Sequence, residues 1–93
     1  MSVTVRIPTI LRAYVNDQST VEITPETATL KSVFDALEAK APGILQRVVS
    51  DTGELRRFVN VYVNDDDVRF LEGVNTPTPE GCTISIVPAV AGG

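Results

Sequence analysis

The sequence predicts a single α+β domain in which one main helix packs across a mixed β-sheet, and three observations support this. The chain has 93 residues, 43% hydrophobic and 22% charged, which is an ordinary composition for one globular domain. Several short segments alternate apolar and polar residues with the period of two that half-buried strands show. One longer segment carries an apolar stripe with the period of an α-helix.

The first two predicted strands form a hairpin. From Ser2 to Ile7, valine or isoleucine fills every second position, and the pattern returns from Ser19 to Thr24. Between them, Leu11–Gln18 is interpreted as a polar connection with Asn16-Asp17 as its turn. Two strands so close along the chain are expected to pair with each other.

The predicted helix follows the hairpin. Its apolar residues fall on one stripe, which we interpret as core: Leu30, Val33, Phe34, Leu37 and Ala41. Thr29 is a suitable N-cap, and Pro42-Gly43 ends the helix. A further short helical turn is expected within Ile44–Val49.

Three more strands are predicted after the helix. Phe58–Asn64 has the strongest pattern, with three valines on one face. A tight connection at Asn64–Asp67 leads into a short strand at Val68–Phe70, and Leu71–Gly81 has the glycines and prolines of a loop. Cys82–Val87 is the last strand. Since the helix joins strands two and three, the first and last strands are left to pair side by side in the sheet centre.

Composition excludes several classes of function. Eight basic and twelve acidic residues give a net charge of −4, whereas nucleic-acid binding relies on clustered lysine and arginine. No apolar run is long enough to span a membrane, so we expect a cytoplasmic protein. Histidine is absent, which removes the commonest general base and metal ligand. The chain is therefore expected to be acted upon by enzymes rather than to be one.

Two further residue groups have alternative interpretations. Asp65–Asp67 offers carboxylate oxygens of the kind that hard cations favour, but no glycine or distal glutamate completes a calcium loop. We interpret it as a solvated hairpin tip. Cys82 is either a reactive thiol or a small buried hydrophobe, and no cationic residue nearby in sequence favours the thiolate.

The C-terminal residues are expected to carry the function. Pro88 ends the last strand because proline has no N–H to donate, which divides the chain into a domain, 1–88, and a flexible tail, 89–93. The tail consists of Ala89, Val90, Ala91, Gly92 and Gly93, and when extended it spans roughly 17 Å. Glycines without Cβ atoms can enter a narrow tunnel and leave the last carbonyl open to attack. The alternative is an ordinary frayed terminus.

The strand order and the terminal Gly-Gly together resemble the ThiS/MoaD family of sulfur-carrier proteins, which have the ubiquitin-like β-grasp fold (ββαββ), over essentially the whole chain. Segments 57–70 and 87–93 are most similar to the CysO-type carriers of cysteine biosynthesis. Small subunits of molybdopterin synthase tend to have a second proline in the tail, where this chain has Pro88-Ala89. That role and a ThiS-like role in thiamine thiazole synthesis remain alternatives. Isopeptide-forming ubiquitin-like modifiers and pure interaction modules are two further classes.

The resemblance implies a specific chemistry and set of partners. An E1-like enzyme would use ATP to adenylate the Gly93 carboxylate, and sulfur would convert it to a thiocarboxylate. A pyridoxal-phosphate-dependent cysteine synthase would accept the sulfur, and a zinc metallopeptidase would release cysteine. ATP, pyridoxal phosphate and zinc would thus be used or held by the partners. Residues 89–92 would thread into the partners' active sites. The predicted docking residues are Val87, Phe58 and Tyr62, with Arg6 among the arginines that could meet an acidic partner.

Overall fold

The computed structural model describes residues 2–56 and 59–88. Within them are five strands, which are β1 (Val3–Arg6), β2 (Thr20–Ile23), β3 (Val59–Val63), β4 (Asp66–Asp67) and β5 (Thr83–Pro88). One α-helix, α1, spans Leu30–Lys40. Four 3-10 helices occupy Thr9–Val15, Leu45–Arg47, Val68–Phe70 and Gly73–Asn75.

The strands form one mixed sheet in the order β2-β1-β5-β3-β4. β1 and β5 run parallel, with Val5 opposite Ile84, and the other pairs are antiparallel. The predicted α+β class, the first hairpin and the pairing of the first and last strands are therefore confirmed. The last strand is bonded on both sides.

The core lies between α1 and the inner face of the sheet. Val5 and Ile84 on the two central strands and Leu30 and Leu37 on α1 are fully buried, as the alternation and the helical stripe predict. The helix begins where it was expected, because the Thr29 hydroxyl accepts a hydrogen bond from the Ser32 N–H at 3.3 Å.

The segment between β1 and β2 differs from the prediction. Thr9–Val15 is a 3-10 helix rather than a polar connection, and its Leu11 and Val15 are buried. Two buried residues among seven are too few to make an apolar pattern stand out from a polar background. Asn16 and Asp17 do form the turn, in the left-handed region at φ 55° and 63°.

The strand at Val68–Phe70 was predicted wrongly. These residues form a 3-10 helix, and the short partner of β3 is Asp66–Asp67. The Asp67 carboxylate accepts the Arg69 N–H at 2.9 Å, and this cap starts the helical turn that ends pairing. β5 also extends one residue beyond its predicted end, because Pro88 pairs with Val59.

The chain leaves α1 through a turn held by Glu38. Its carboxylate accepts hydrogen bonds from the backbone N–H groups of Gly43, at 2.8 Å, and Leu45, at 2.9 Å. Hydrogen bonding to the charged form lowers the pKa of Glu38 below its ordinary value of 4.5. The charged carboxylate therefore stabilises the folded chain.

We predict that Glu38→Gln lowers the free energy of unfolding by about 1 kcal/mol at neutral pH, since a neutral amide is the weaker acceptor. Because the folded pKa is depressed, the difference from wild type should be full above pH 4.5 and disappear as the pH falls through the folded pKa. Urea unfolding at several pH values measures it. Asp35→Asn, an exposed site on the same helix, is the matched control, and an equal loss there would contradict the role of Glu38.

Candidate tail-exit and docking surface

β5 carries the chain to the predicted tail from the middle of the sheet. Its beginning is fixed on both sides: the Thr4 N–H donates to the Cys82 carbonyl at 3.0 Å, and the Asn64 N–H donates to the Thr83 carbonyl at 2.7 Å. The Asn64 side chain also accepts the Thr83 N–H at 3.1 Å. The predicted functional residues Ala89, Val90, Ala91, Gly92 and Gly93 lie outside the described residues, so their role stays a prediction.

The outer face of the sheet, opposite α1, presents a row of polar side chains. Residues in register across the five strands are Thr20, Arg6, Ser85, Tyr62 and Asp67. Val87 follows Ser85 on the same face of β5 and is 43% exposed, whereas its inner neighbour Ile86 is buried. This alternation separates the side chains available to a partner from those that form the core.

A groove of about 670 Å³, here called the outer-face groove, lies over this row. Three of the four predicted docking residues, Arg6, Tyr62 and Val87, line it together. The fourth, Phe58, lies outside the described residues. Pro8, Thr9 and Arg12 also line the groove. Thr9 and Arg12 belong to the 3-10 helix that was not predicted from the sequence.

The arginines predicted to meet a partner have different environments. Arg6 is exposed, and no hydrogen bond or ion pair joins its guanidinium to another described residue. Arg69 donates to the Asn60 amide oxygen at 2.6 Å and to the Arg56 carbonyl, while Arg56 donates to the Gln46 carbonyl at 2.7 Å. Arg69 therefore ties the Val68–Phe70 helix to β3 and to the Arg56 backbone, and Arg56 ties the chain before β3 to the Leu45–Arg47 helix. Arg57 lies outside the described residues.

A second, more apolar concavity of about 450 Å³ borders the same end of β5. It is lined by Ile10, Leu11, Tyr14, Arg47, Val59 and Ile86. Ile10 is 70% exposed, and the Arg47 guanidinium donates to the Tyr14 hydroxyl at 3.1 Å, which raises the pKa of Arg47. The exit of β5 is therefore flanked by one charged and one apolar surface.

Cys82 lies at the opposite end of β5 and is buried. Burial raises the pKa of its thiol, so the small-hydrophobe interpretation fits and the reactive-thiolate alternative does not. Residues 2–56 and 59–88 contain no cluster of three or more histidine, cysteine or carboxylate side chains that could hold a metal ion. Nor does any helix in that part of the chain have the length and apolar character needed to cross a bilayer.

Comparison with known proteins points to one family. The model of the ThiS family matches residues 5–93. The chain is 48% identical to the sulfur carrier protein CysO of Mycobacterium tuberculosis over 95 residues, with 100% of each chain covered. It is 33% identical to small archaeal modifier protein 3 of Haloferax volcanii, again with 100% of each covered.

The fold agrees with this sequence likeness. A chain in the crystal structure of the Amycolatopsis orientalis BexX/CysO complex superposes with a TM-score of 0.88 at 45% identity, covering 98% of this chain and 99% of that one. This likeness, with the sheet order described above, confirms the ubiquitin-like β-grasp fold.

The separation of the two faces can be tested with one substitution made at two sites. Val87→Thr should leave the free energy of unfolding within about 0.5 kcal/mol of wild type, because the side chain is exposed and threonine keeps the β-branch. Val61→Thr, on the buried face, should lower it by about 1–3 kcal/mol because a hydroxyl is buried without a partner. Urea unfolding measures both, and equal effects would contradict the assigned faces.

Proposed function

Because the chain belongs to the ThiS family, we propose that it is a sulfur-carrier protein whose reactive group is the carboxylate of Gly93. The observation that carries this proposal is the likeness to CysO carriers over the whole of both chains. The position of β5 adds physical support, since a strand bonded on both sides gives the following residues a fixed origin.

The proposed chemistry begins with activation of the terminus. A carboxylate is a poor electrophile, so an E1-like enzyme would join the Gly93 carboxylate to the adenylyl group of ATP and release pyrophosphate. Attack by hydrosulfide on the acyl carbon would then form a C–S bond and expel AMP, and loss of the S–H proton would leave a thiocarboxylate. The tail from Ala89 to Gly92 has no charged or bulky polar side chain and would enter the partner's active site as an extended strand.

Similarity to the CysO carriers favours cysteine biosynthesis as the destination of the sulfur. The thiocarboxylate would add to an aminoacrylate that a pyridoxal-phosphate-dependent cysteine synthase forms from O-phosphoserine, and a zinc metallopeptidase would release the cysteine. The solved complex of a CysO protein with BexX supports the use of a separate protein partner. ATP, pyridoxal phosphate and zinc would be held by the partners.

Partners would dock on the outer-face groove. Arg6, Tyr62 and Val87 line one concavity that borders the last strand. A protein held there would have the end of β5 directed toward it. Phe58 remains part of this proposal on its sequence pattern.

A second candidate function is that of a ubiquitin-like modifier. The 33% identity to small archaeal modifier protein 3 favours it. Both functions require activation of Gly93, but a modifier ends as an isopeptide on a lysine of another protein. The products therefore distinguish the two.

We predict that incubation with an E1-like enzyme, ATP and a sulfur donor replaces one oxygen of the Gly93 carboxylate by sulfur, which intact-mass measurement detects and fragmentation places at the last residue. A protein that ends in a Gly93 carboxamide instead of a carboxylate is the matched control and should not react. Deletion of Gly93 should also abolish transfer. Sulfur found on Cys82, or gained equally by the carboxamide, would contradict the proposal, and isopeptide adducts would favour the modifier.

A further inference from the structure

We propose that Arg6 and Arg12 form a carboxylate-binding site in the outer-face groove, and that its occupant is an acidic segment of a protein partner that handles the tail. The identity of that partner rests on the proposed function, whereas the recognition of carboxylates rests on the two arginines alone. Arg12 was not among the predicted docking residues.

The strand register places Arg6 beside Ser85, three residues before the end of β5. It pairs with Ser85 of β5 on one side and with Thr20 of β2 on the other. Ser85 precedes Pro88 by three residues, or roughly 10 Å of extended strand. A partner group bound to Arg6 would therefore lie beside the end of β5 without covering it.

Arg12 is oriented by the backbone. Its Nε donates to the Ile7 carbonyl at 3.1 Å, and the residue is half-buried. The bond fixes the plane of the guanidinium and leaves its two terminal nitrogens to other acceptors, since no hydrogen bond or ion pair joins them to another described residue. A planar, pre-oriented guanidinium suits two parallel hydrogen bonds to a carboxylate.

The local charge is opposite to that of the whole chain. Among the described residues lining the groove, the charged groups are Arg6, Arg12 and Asp65, whereas the chain carries a net charge of −4. An acidic partner is therefore repelled by most of the surface and attracted at this groove, which selects one orientation of approach. A nucleic-acid backbone would require a larger basic surface than two arginines.

The first experiment uses the protein alone. The ¹⁵N-labelled full chain is titrated with acetyl-tetraglutamate amide, with the tetraglutamine peptide as the uncharged control and inorganic phosphate as a rival anion. We expect the Nε–H signals of Arg6 and Arg12 and the amides of Thr20 and Ser85 to shift with the glutamate peptide only. Shifts of equal size with phosphate, shifts centred elsewhere, or none at all would overturn the proposal.

The second experiment measures activation kinetics with the E1-like enzyme. Arg6→Gln and Arg12→Gln together should raise KM for the carrier about tenfold, with kcat within about twofold and the effect weakened by salt. Lys31→Gln, which removes one positive charge from the exposed side of α1, should leave KM unchanged and is the charge-matched control for Arg6→Gln alone. If the double variant fails to fold, Arg6→Gln alone is measured in its place, because the Arg6 side chain is exposed and has no hydrogen bond to another described residue.

The two experiments separate the two proposals. If the wild-type chain is not activated, the proposed function fails, and the peptide titration still decides the arginine site. If it is activated but both variants keep the wild-type KM, the arginine proposal fails, and the proposed function stands.

Discussion

The parallel pairing of β1 and β5 is the constraint on which the rest of this structure depends. A parallel pair cannot be closed by a tight turn and needs a long connection, which here consists of β2, α1, β3 and β4. Placing the first and last strands together in the centre leaves β2 and β4 as the edges. As a result, the last strand is the middle strand of the sheet, and the predicted tail follows it in sequence.

The alternation along β5 lets one strand contribute to both stability and recognition. Ile84 and Ile86 are buried against α1 and its surroundings, while Ser85 and Val87 face the opposite side. The 3-10 helix at Thr9–Val15 runs between the two concavities at this end, with Arg12 on the charged side and Ile10 on the apolar side. The surfaces around the end of β5 are therefore formed by elements that also contribute side chains to the core, rather than by a separate loop.

The sequence predicted the elements whose patterns are long enough to repeat. The alternation in Phe58–Asn64 and the stripe from Leu30 to Ala41 each bury several side chains, so their periods are clear. Thr9–Val15 buries only two residues, too few to show a period, and this is why Arg12 was missed as a groove residue. β4 has two residues, and Val68 beside it is buried as a strand residue would be, which explains the misplaced strand.

Function was predicted from a different kind of signal than fold. Two glycines have no side chains and therefore form no apolar pattern, so the interpretation of Gly92 and Gly93 rests on the chemistry of a bare backbone terminus and on family resemblance. The grouping of Arg6, Tyr62 and Val87 needed the strand register as well, because residues so far apart in sequence share a groove only once β1, β3 and β5 are aligned.

Amide hydrogen exchange of the free protein, followed by mass spectrometry of fragments, tests the central claim most directly. We expect the amides of residues 84–87 to exchange only with global unfolding, because β5 is bonded on both sides, and those of residues 89–93 to exchange as in an unstructured peptide until an activating enzyme binds. Protection of residues 89–93 in the free protein, or exchange of 84–87 as fast as that of the tail, would contradict a firmly held strand that presents an accessible terminus.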